Sequence, residues 1–558
     1  MSKLWQIFRP GETRPPEREP RQGVPVVDPP EEIHGVLDTY RVPAGASRDA
    51  SAEIFIVEED GVGRYLVRLP KLSDNEAQAL RHLKANLLDS IPADANGEPR
   101  EIVADYLWKT AEGTGLGPLL RKSHDKLLYY LMKDFAGFWE VDPLVNDDKI
   151  EEISVSRYDR PVRVLHRNFS EFMFMETDVV YPSEERLQAF VRRLAQFGGT
   201  TISLAQPSLE VTLHGSSDRR VTATLGDEIS RPGSTFAIRK QCERPITLAQ
   251  LASPELSRWP ALGSRADADT SSSYEEEHSH KTLSVLMAAY FWLLLERTTN
   301  VLIAGETNSG KTTLMNAILA LANPKCKVVT AEDVLEISLP EHLHWQRLKT
   351  RAHRAGLSPV SSRYEYGLPD LLKLALRFSP TILSLGEMRG EESETVAAAI
   401  TLGFSTMTTI HAEDAERCVQ RLRTPPMRFS AGHIRDITAI GTMRKVVLRD
   451  GRVARRLVSV DEVKPEGEDG HELVNIFSYD PAVDSFSPTT PAEVLDRSYR
   501  LSEIAESLGC SPATVQASLA ERAARISRQI AGGEPTPQAL SRMVREFAVE
   551  EARRGTVR

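Results

Sequence analysis

The chain has 558 residues, is 41% hydrophobic and 27% charged, and carries a formal net charge of −10. That length predicts three or four domains, and the acidic, well-mixed balance argues against a surface that binds nucleic acid by overall charge, although it leaves room for a local basic patch. Four scattered cysteines without a CxxC pair (Cys242, Cys326, Cys418, Cys510) point to a reducing compartment and away from a cysteine zinc site.

In chain order, residues 1–30 are rich in proline and arginine and read as a flexible arm. The arm begins with Lys3-Leu4-Trp5-Gln6-Ile7-Phe8-Arg9, an aromatic and basic mixture suited to touching a membrane surface or a partner, and it lacks a signal-peptide core. An N-terminal extension at 31–135 mixes strand-like runs such as 53–57 with helical ones at 76–88 and 122–135. An α+β domain is expected over 136–245. Its strands fall near 153–155 and 162–165, and its amphipathic helix near 183–197 carries Leu187, Phe190, Val191 and Leu194 on one face. Residues 246–282 read as a linker whose polar, low-complexity stretch at 264–282 is a surface insertion; its two histidines read as solvated loop residues. The apolar run 283–295 is too short to span a bilayer and reads as a buried helix. A nucleotide domain is expected over 283–460 and a tail of a short β piece and several helices over 461–558.

The nucleotide domain is announced by Val301 to Thr313, where an apolar strand runs into Gly-x-x-x-x-Gly-Lys-Thr and on into a helical pattern. This is a P-loop in the context it requires. The amides of Gly305, Thr307, Asn308, Ser309, Gly310, Lys311, Thr312 and Thr313 would cradle the phosphates of ATP. Lys311 would reach the β- and γ-phosphates, and the Thr312 hydroxyl would hold Mg²⁺. Three later strand-like runs each end in a chemically competent group. Residues 328–331 deliver Glu332 and Asp333, a place from which a carboxylate can orient or deprotonate water. Residues 381–385 lead to Gly386-Glu387-Met388-Arg389, a Walker-B pattern with Glu387 beside the Mg²⁺ shell. Residues 407–410 lead to His411, placed to sense the γ-phosphate.

This set resembles the secretion and pilus-assembly ATPase superfamily of type II secretion, type IV pili, archaeal flagella and type IV secretion. Its Walker A, acidic box, Gly-Glu-Met-Arg Walker B and Thr-Ile-His-Ala box correspond to 305–313, Glu332-Asp333, 386–389 and 409–412, and the form is most similar to the archaeal branch. The resemblance covers about 115–480 and implies a RecA-like P-loop ATPase domain preceded by an α+β domain. It implies Glu332 as general base, Glu387 on the Mg²⁺ side and His411 as sensor. Basic residues of the preceding domain reach a nucleotide in such proteins, and Arg220 and Arg239 match those motifs best; Arg231 matches less well. Arg347 and Arg351 would also face phosphate or a neighbouring subunit. The implied protein is a cytoplasmic homohexamer at the inner face of the membrane, moving its N-terminal and nucleotide domains against each other. It would drive a polytopic membrane platform protein and, through it, pilin-like subunits, with acidic lipid as a further contact.

Two alternatives remain open on sequence alone. One is a DNA-transfer ATPase of the conjugation type. The other is a nucleotide-regulated DNA-binding protein, because Leu501 to Gln516 resembles a helix-turn-helix, with Gly509 ending one helix and Ser511 capping the next. Thr514, Gln516, Arg522 and Arg525 would then face DNA. The weak local basic excess favours a small helical module packed on the ATPase instead.

Overall fold

The computed structural model describes residues 34–44, 47–59, 61–90, 99–169, 172–213, 218–240, 245–253, 282–350, 366–449, 453–467, 470–532 and 536–554. The expected arm at 1–30, the low-complexity stretch up to residue 281, Cys242 and Arg351 lie outside these. The chain divides into two compact units, Met1–Glu243 and Arg244–Arg558, each built on a nine-stranded sheet.

In the first unit, Val36–Ala44, Ser47–Glu59 and Val62–Arg68 form an antiparallel meander. Its third strand pairs in parallel with Phe174–Thr177, through Arg64 opposite Glu176 and Tyr65 opposite Thr177. The sheet continues antiparallel through Arg163–His166, Ile150–Val155, Thr235–Lys240, Arg219–Thr224 and Ser208–Leu213. Helix Glu184–Phe197 buries Leu187, Phe190, Val191 and Leu194, the face its spacing predicts, and Ser183 caps it by accepting from the Arg186 amide. An expected boundary at 135/136 therefore separates no sheet: the extension's strands continue the same layer. The tie is partly polar, since buried Asp147 accepts from the hydroxyls of Tyr40 and Tyr65, each at 2.7 Å. Helices Asp74–Ser90, Pro99–Thr114 and Gly117–Phe135 share a separate apolar cluster around Leu83, Leu107 and Leu127.

In the second unit, six strands run parallel in the order Trp345–Lys349, Val328–Glu332, Ile382–Leu385, Ser405–Ile410, Asn300–Gly305, Ala439–Val447. The four central ones are buried end to end, as strands covered on both faces of a parallel sheet are, although Ser405–Ile410 reads Ser-Thr-Met-Thr-Thr-Ile. Helix Val285–Leu295 is buried on every side, consistent with its unbroken apolar sequence. Among the described residues no helix is long and apolar enough to cross a membrane.

The sheet does not stop at residue 460. Val453–Glu466 pairs antiparallel with Ala439–Val447, then Gly470–Asp480 and Ser485–Ser487 extend it, so the expected boundary at 460/461 cuts a strand. Fully buried Glu462 explains the continuity, because it accepts from Tyr290 Oη at 2.6 Å, from the Arg500 amide at 2.9 Å and from the Ser498 hydroxyl. One carboxylate thus joins core helix, strand and tail.

The tail carries the expected turn. Gly509 sits at φ 60°, and Ser511 Oγ accepts from the Thr514 amide at 3.3 Å. The second helix, Pro512–Ala531, keeps Thr514 exposed and Gln516 half-buried at its start. It packs on Val285–Leu295 and buries Val515, Leu519, Arg522, Ala523 and Ile526. Arg522, 1% exposed, lies beside the packed Trp292 and Phe547 rings, 5.6 and 4.5 Å from their centres, and pairs with Glu296 and with Glu551. Arg525 pairs with Glu521 at 3.0 Å and with Glu550. Both arginines named for DNA contact are consumed inside the unit, as suits the favoured reading of a helical module packed on the nucleotide domain. Arg522→Ala leaves two carboxylates facing an empty site, and we expect it to lose about 3–5 kcal/mol of stability. Denaturant unfolding checks this, with Arg522→Met predicted to lose less because it keeps apolar contact with both rings.

Candidate active site

All six parallel strands end on one edge of the sheet, where α/β folds of this kind hold ligands. The order across that edge is Gly305, then His411 just past Ile410, then Glu387 just past Leu385, then Glu332. The neighbouring strand ends are bonded across. Thr409 Oγ1 donates to Gly386 O at 2.8 Å, the Met388 amide to Thr409 O at 2.9 Å, and the Gly386 amide to Ala331 O at 3.1 Å. The three segments read from sequence are therefore brought together, in fixed register.

The P-loop turns back over this edge. Gly305 lies at φ 155°, and a Cβ there would sit 2.4 Å from the Met443 carbonyl oxygen. Asn308 and Gly310 are left-handed at φ 60° and 93°, and helix Lys311–Leu319 starts immediately after. Ser309 is buried, with its hydroxyl on Glu306 O at 2.8 Å. Thr307 is exposed, while Thr312 and Thr313 are half-buried at the helix start. Lys311, 7% exposed, donates to Glu306 O at 2.6 Å, with His411 Nδ1 3.5 Å away. The other ring nitrogen of His411, Nε2, is 2.9 Å from Glu387 Oε1. Burial and then the Lys311 charge lower the His411 pKa below its ordinary value, which keeps the ring neutral near pH 7.

The two carboxylates are tuned apart. Burial opposes ionisation of Glu387, yet its pKa is lowered, because it pairs with Arg389 and lies near His411 and Lys311. Glu332 is 1% exposed, and burial pushes its pKa up to about 7. Its Oε1 accepts from the amides of Glu336 and Ile337, both at 2.7 Å. Its Oε2 is buried without a hydrogen-bond partner among the described residues, and Arg347 Nε stands 3.6 Å away. Of the adjacent acidic pair, Asp333 points to solvent.

Arg347 thus faces the Glu332 carboxylate. Arg220 and Arg239 stand opposite each other on neighbouring strands of the first unit, Arg220 pairing with Glu210 and Arg239 aligned with Glu152 on its other side. Arg231 is exposed. Three residues beside the P-loop edge gave no sequence signal. Arg421 donates to His411 O at 2.8 Å, Arg455 donates to Asn308 O at 3.1 Å, and Met443 lies under the loop. Their contacts depend on strand pairing and helix placement, which no local motif records.

Among the described residues no group of three or more His, Cys, Asp and Glu forms a metal cage. The donors present, the Thr312 hydroxyl and the Glu387 carboxylate, fit a Mg²⁺ that takes the rest of its shell from phosphate and water.

Residues 278–455 match the family described as type II/IV secretion system protein. An uncharacterized protein of Methanocaldococcus jannaschii is 30% identical over 365 residues, 65% of this chain and 59% of that protein. A second from the same organism is 35% identical over 244 residues, 43% of this chain and 86% of the relative. The type IV secretion system protein VirB11 of Bartonella henselae is 26% identical over 284 residues, 49% of this chain and 76% of VirB11. Among solved structures, the Legionella pneumophila ATPase DotB aligns over 74% of this chain and 90% of its own at 14% identity, with a TM-score of 0.39. The chain spans under two thirds of the first of these relatives.

The Glu332 environment makes a prediction about stability. Its folded pKa, about 7 against an ordinary 4.5, means that the folded chain keeps a proton which the unfolded chain releases. The contribution to stability falls as pH rises from the ordinary value through the folded one. Glu332→Gln removes that dependence, so the variant should melt higher than wild type at pH 8 and lose this advantage toward pH 5. Melting curves across that range test it, and parallel curves for the two proteins would contradict a raised Glu332.

Proposed function

We propose that this chain, which belongs to the type II/IV secretion system protein family, is a Mg²⁺-dependent ATPase motor that powers assembly of pilus-like filaments or secretion through a membrane platform. The observation that carries the reading is the run of contacts along the strand edge. Lys311 approaches His411, His411 touches Glu387, and Glu332 stands beside them with one oxygen unclaimed.

The P-loop amides and Lys311 bind and orient the phosphates, for which Lys311 must leave Glu306 O. Thr312 and Glu387 would hold Mg²⁺, which when bound offsets phosphate charge. Glu332 Oε2 takes the proton of the attacking water as its oxygen bonds to the γ-phosphorus and the bond to the ADP oxygen breaks. A base with a pKa near the working pH suits that transfer. Neutral His411, between Lys311 and Glu387, senses whether the γ-phosphate has drawn the lysine away. Arg220 and Arg239 serve the nucleotide of the same or an adjacent subunit in a homohexamer. The motor works at the cytoplasmic face of the membrane through a polytopic platform protein and, indirectly, pilin-like subunits.

Steady-state ATP hydrolysis by the purified chain tests the enzymatic part. Mg²⁺-dependent turnover is expected, and Lys311→Ala should abolish it. Glu332→Gln should bind ATP but turn over about 10²–10⁴-fold more slowly. Full activity in Glu332→Gln would remove Glu332 from its role, and a wild-type chain that binds ATP without turnover would leave a nucleotide-binding protein only.

A further inference from the structure

Two adjacent arginines, Arg455 and Arg456, lie on strand Val453–Glu466, and the sheet sends them to opposite faces. The pairing with Ala439–Val447 runs Thr442 opposite Ser459 and then Met443 opposite Leu457, so Val458 is one residue too many. Such a bulge re-phases every residue beyond it. With it, Lys445 faces Arg455; an unbroken register would have put Arg456 there. Arg456 accordingly turns away and is buried against Asp484, at 2.9 and 3.1 Å. Arg455 shares a face with Met443 and Leu457, and that face leads to the P-loop. A Cβ on Gly310 would lie 3.3 Å from Met443 Cε and 3.5 Å from Arg455 Cδ. Arg455 Nε donates to the carbonyl oxygen of Asn308 at 3.1 Å.

A loop that binds an anion through successive amides must turn its carbonyls elsewhere and satisfy them. Asn308 sits in the left-handed region at φ 60°, which asparagine tolerates better than most residues with a Cβ and which turns its carbonyl away from the run of amides. Arg455 supplies the donor that satisfies that carbonyl. We propose that Arg455 is a positioning residue of the P-loop, holding the Asn308 carbonyl out of the phosphate cradle so that the amides are arranged before a nucleotide arrives. This rests on the nucleotide-binding reading above. Because the action is on the loop, ATP and ADP gain equally.

The test uses the full chain and the variants Arg455→Met, which keeps the stem beside Gly310 and loses the donors, and Arg455→Lys, which keeps the charge but has no Nε. Fluorescent ATP and ADP analogues give Kd, hydrolysis gives KM and kcat, and thermal unfolding without nucleotide gives Tm. We expect Arg455→Met to weaken both nucleotides by a similar factor, about tenfold. KM should rise with little change in kcat, the nucleotide-free Tm should hold, and Arg455→Lys should not rescue affinity. Unchanged Kd values overturn the proposal, as do a loss confined to ATP, full rescue by lysine, or a fall in Tm that tracks the loss of affinity. A wild-type chain that binds neither analogue overturns the nucleotide reading itself and this inference with it.

Discussion

The approach of Gly305 to the Met443 carbonyl sets the geometry of everything at the sheet edge. The P-loop strand is held between two parallel neighbours, Ser405–Ile410 and Ala439–Val447, so its end cannot shift sideways. At that end the chain must reverse within a space that has no room for a Cβ. The reversal throws Asn308 and Gly310 into left-handed conformations and starts a helix at Lys311. Lys311 is thereby brought back over the next strand end, where His411 waits. A glycine requirement at one crossing thus becomes a line of chemical groups across three further strands.

The second consequence is electrostatic. The edge is nearly dry at Glu332 and half-wet at Glu387, and the two carboxylates respond in opposite directions. Glu387 has cationic neighbours close enough to outweigh burial. Glu332 has two amides on one oxygen and no hydrogen-bond donor on the other among the described residues, so burial prevails. Titratable pairs pushed apart in this way separate an acid–base role from a charge-holding one. In the proposed motor Glu332 takes the acid–base role and Glu387 the charge-holding one.

Much of this was legible in the sequence because it is local. A strand running into a glycine-rich loop, and apolar runs ending in Glu332, Glu387 and His411, announce themselves over a dozen residues each. The buried helix Val285–Leu295 and the face of Glu184–Phe197 follow from periodicity or its absence. What escaped depends on pairing between distant segments. The sheet's continuation beyond residue 460 hangs on Glu462 reaching Tyr290, and the burial of Arg522, named for a DNA contact, on its seat beside Trp292, Phe547 and Glu296. The cap and glycine turn are the same whether the following helix meets DNA or a core, and only the weak basic excess favours the core. The division of labour between Arg455 and Arg456 turns on one bulged residue, which has no composition of its own.

The most direct test is a structure of the chain with Mg²⁺ and a non-hydrolysable ATP analogue, read at Lys311. The account predicts that Nζ leaves the Glu306 carbonyl oxygen for a phosphate oxygen while the phosphates rest on the amides of 305–312. A nucleotide bound elsewhere, with Lys311 still on Glu306, would contradict it.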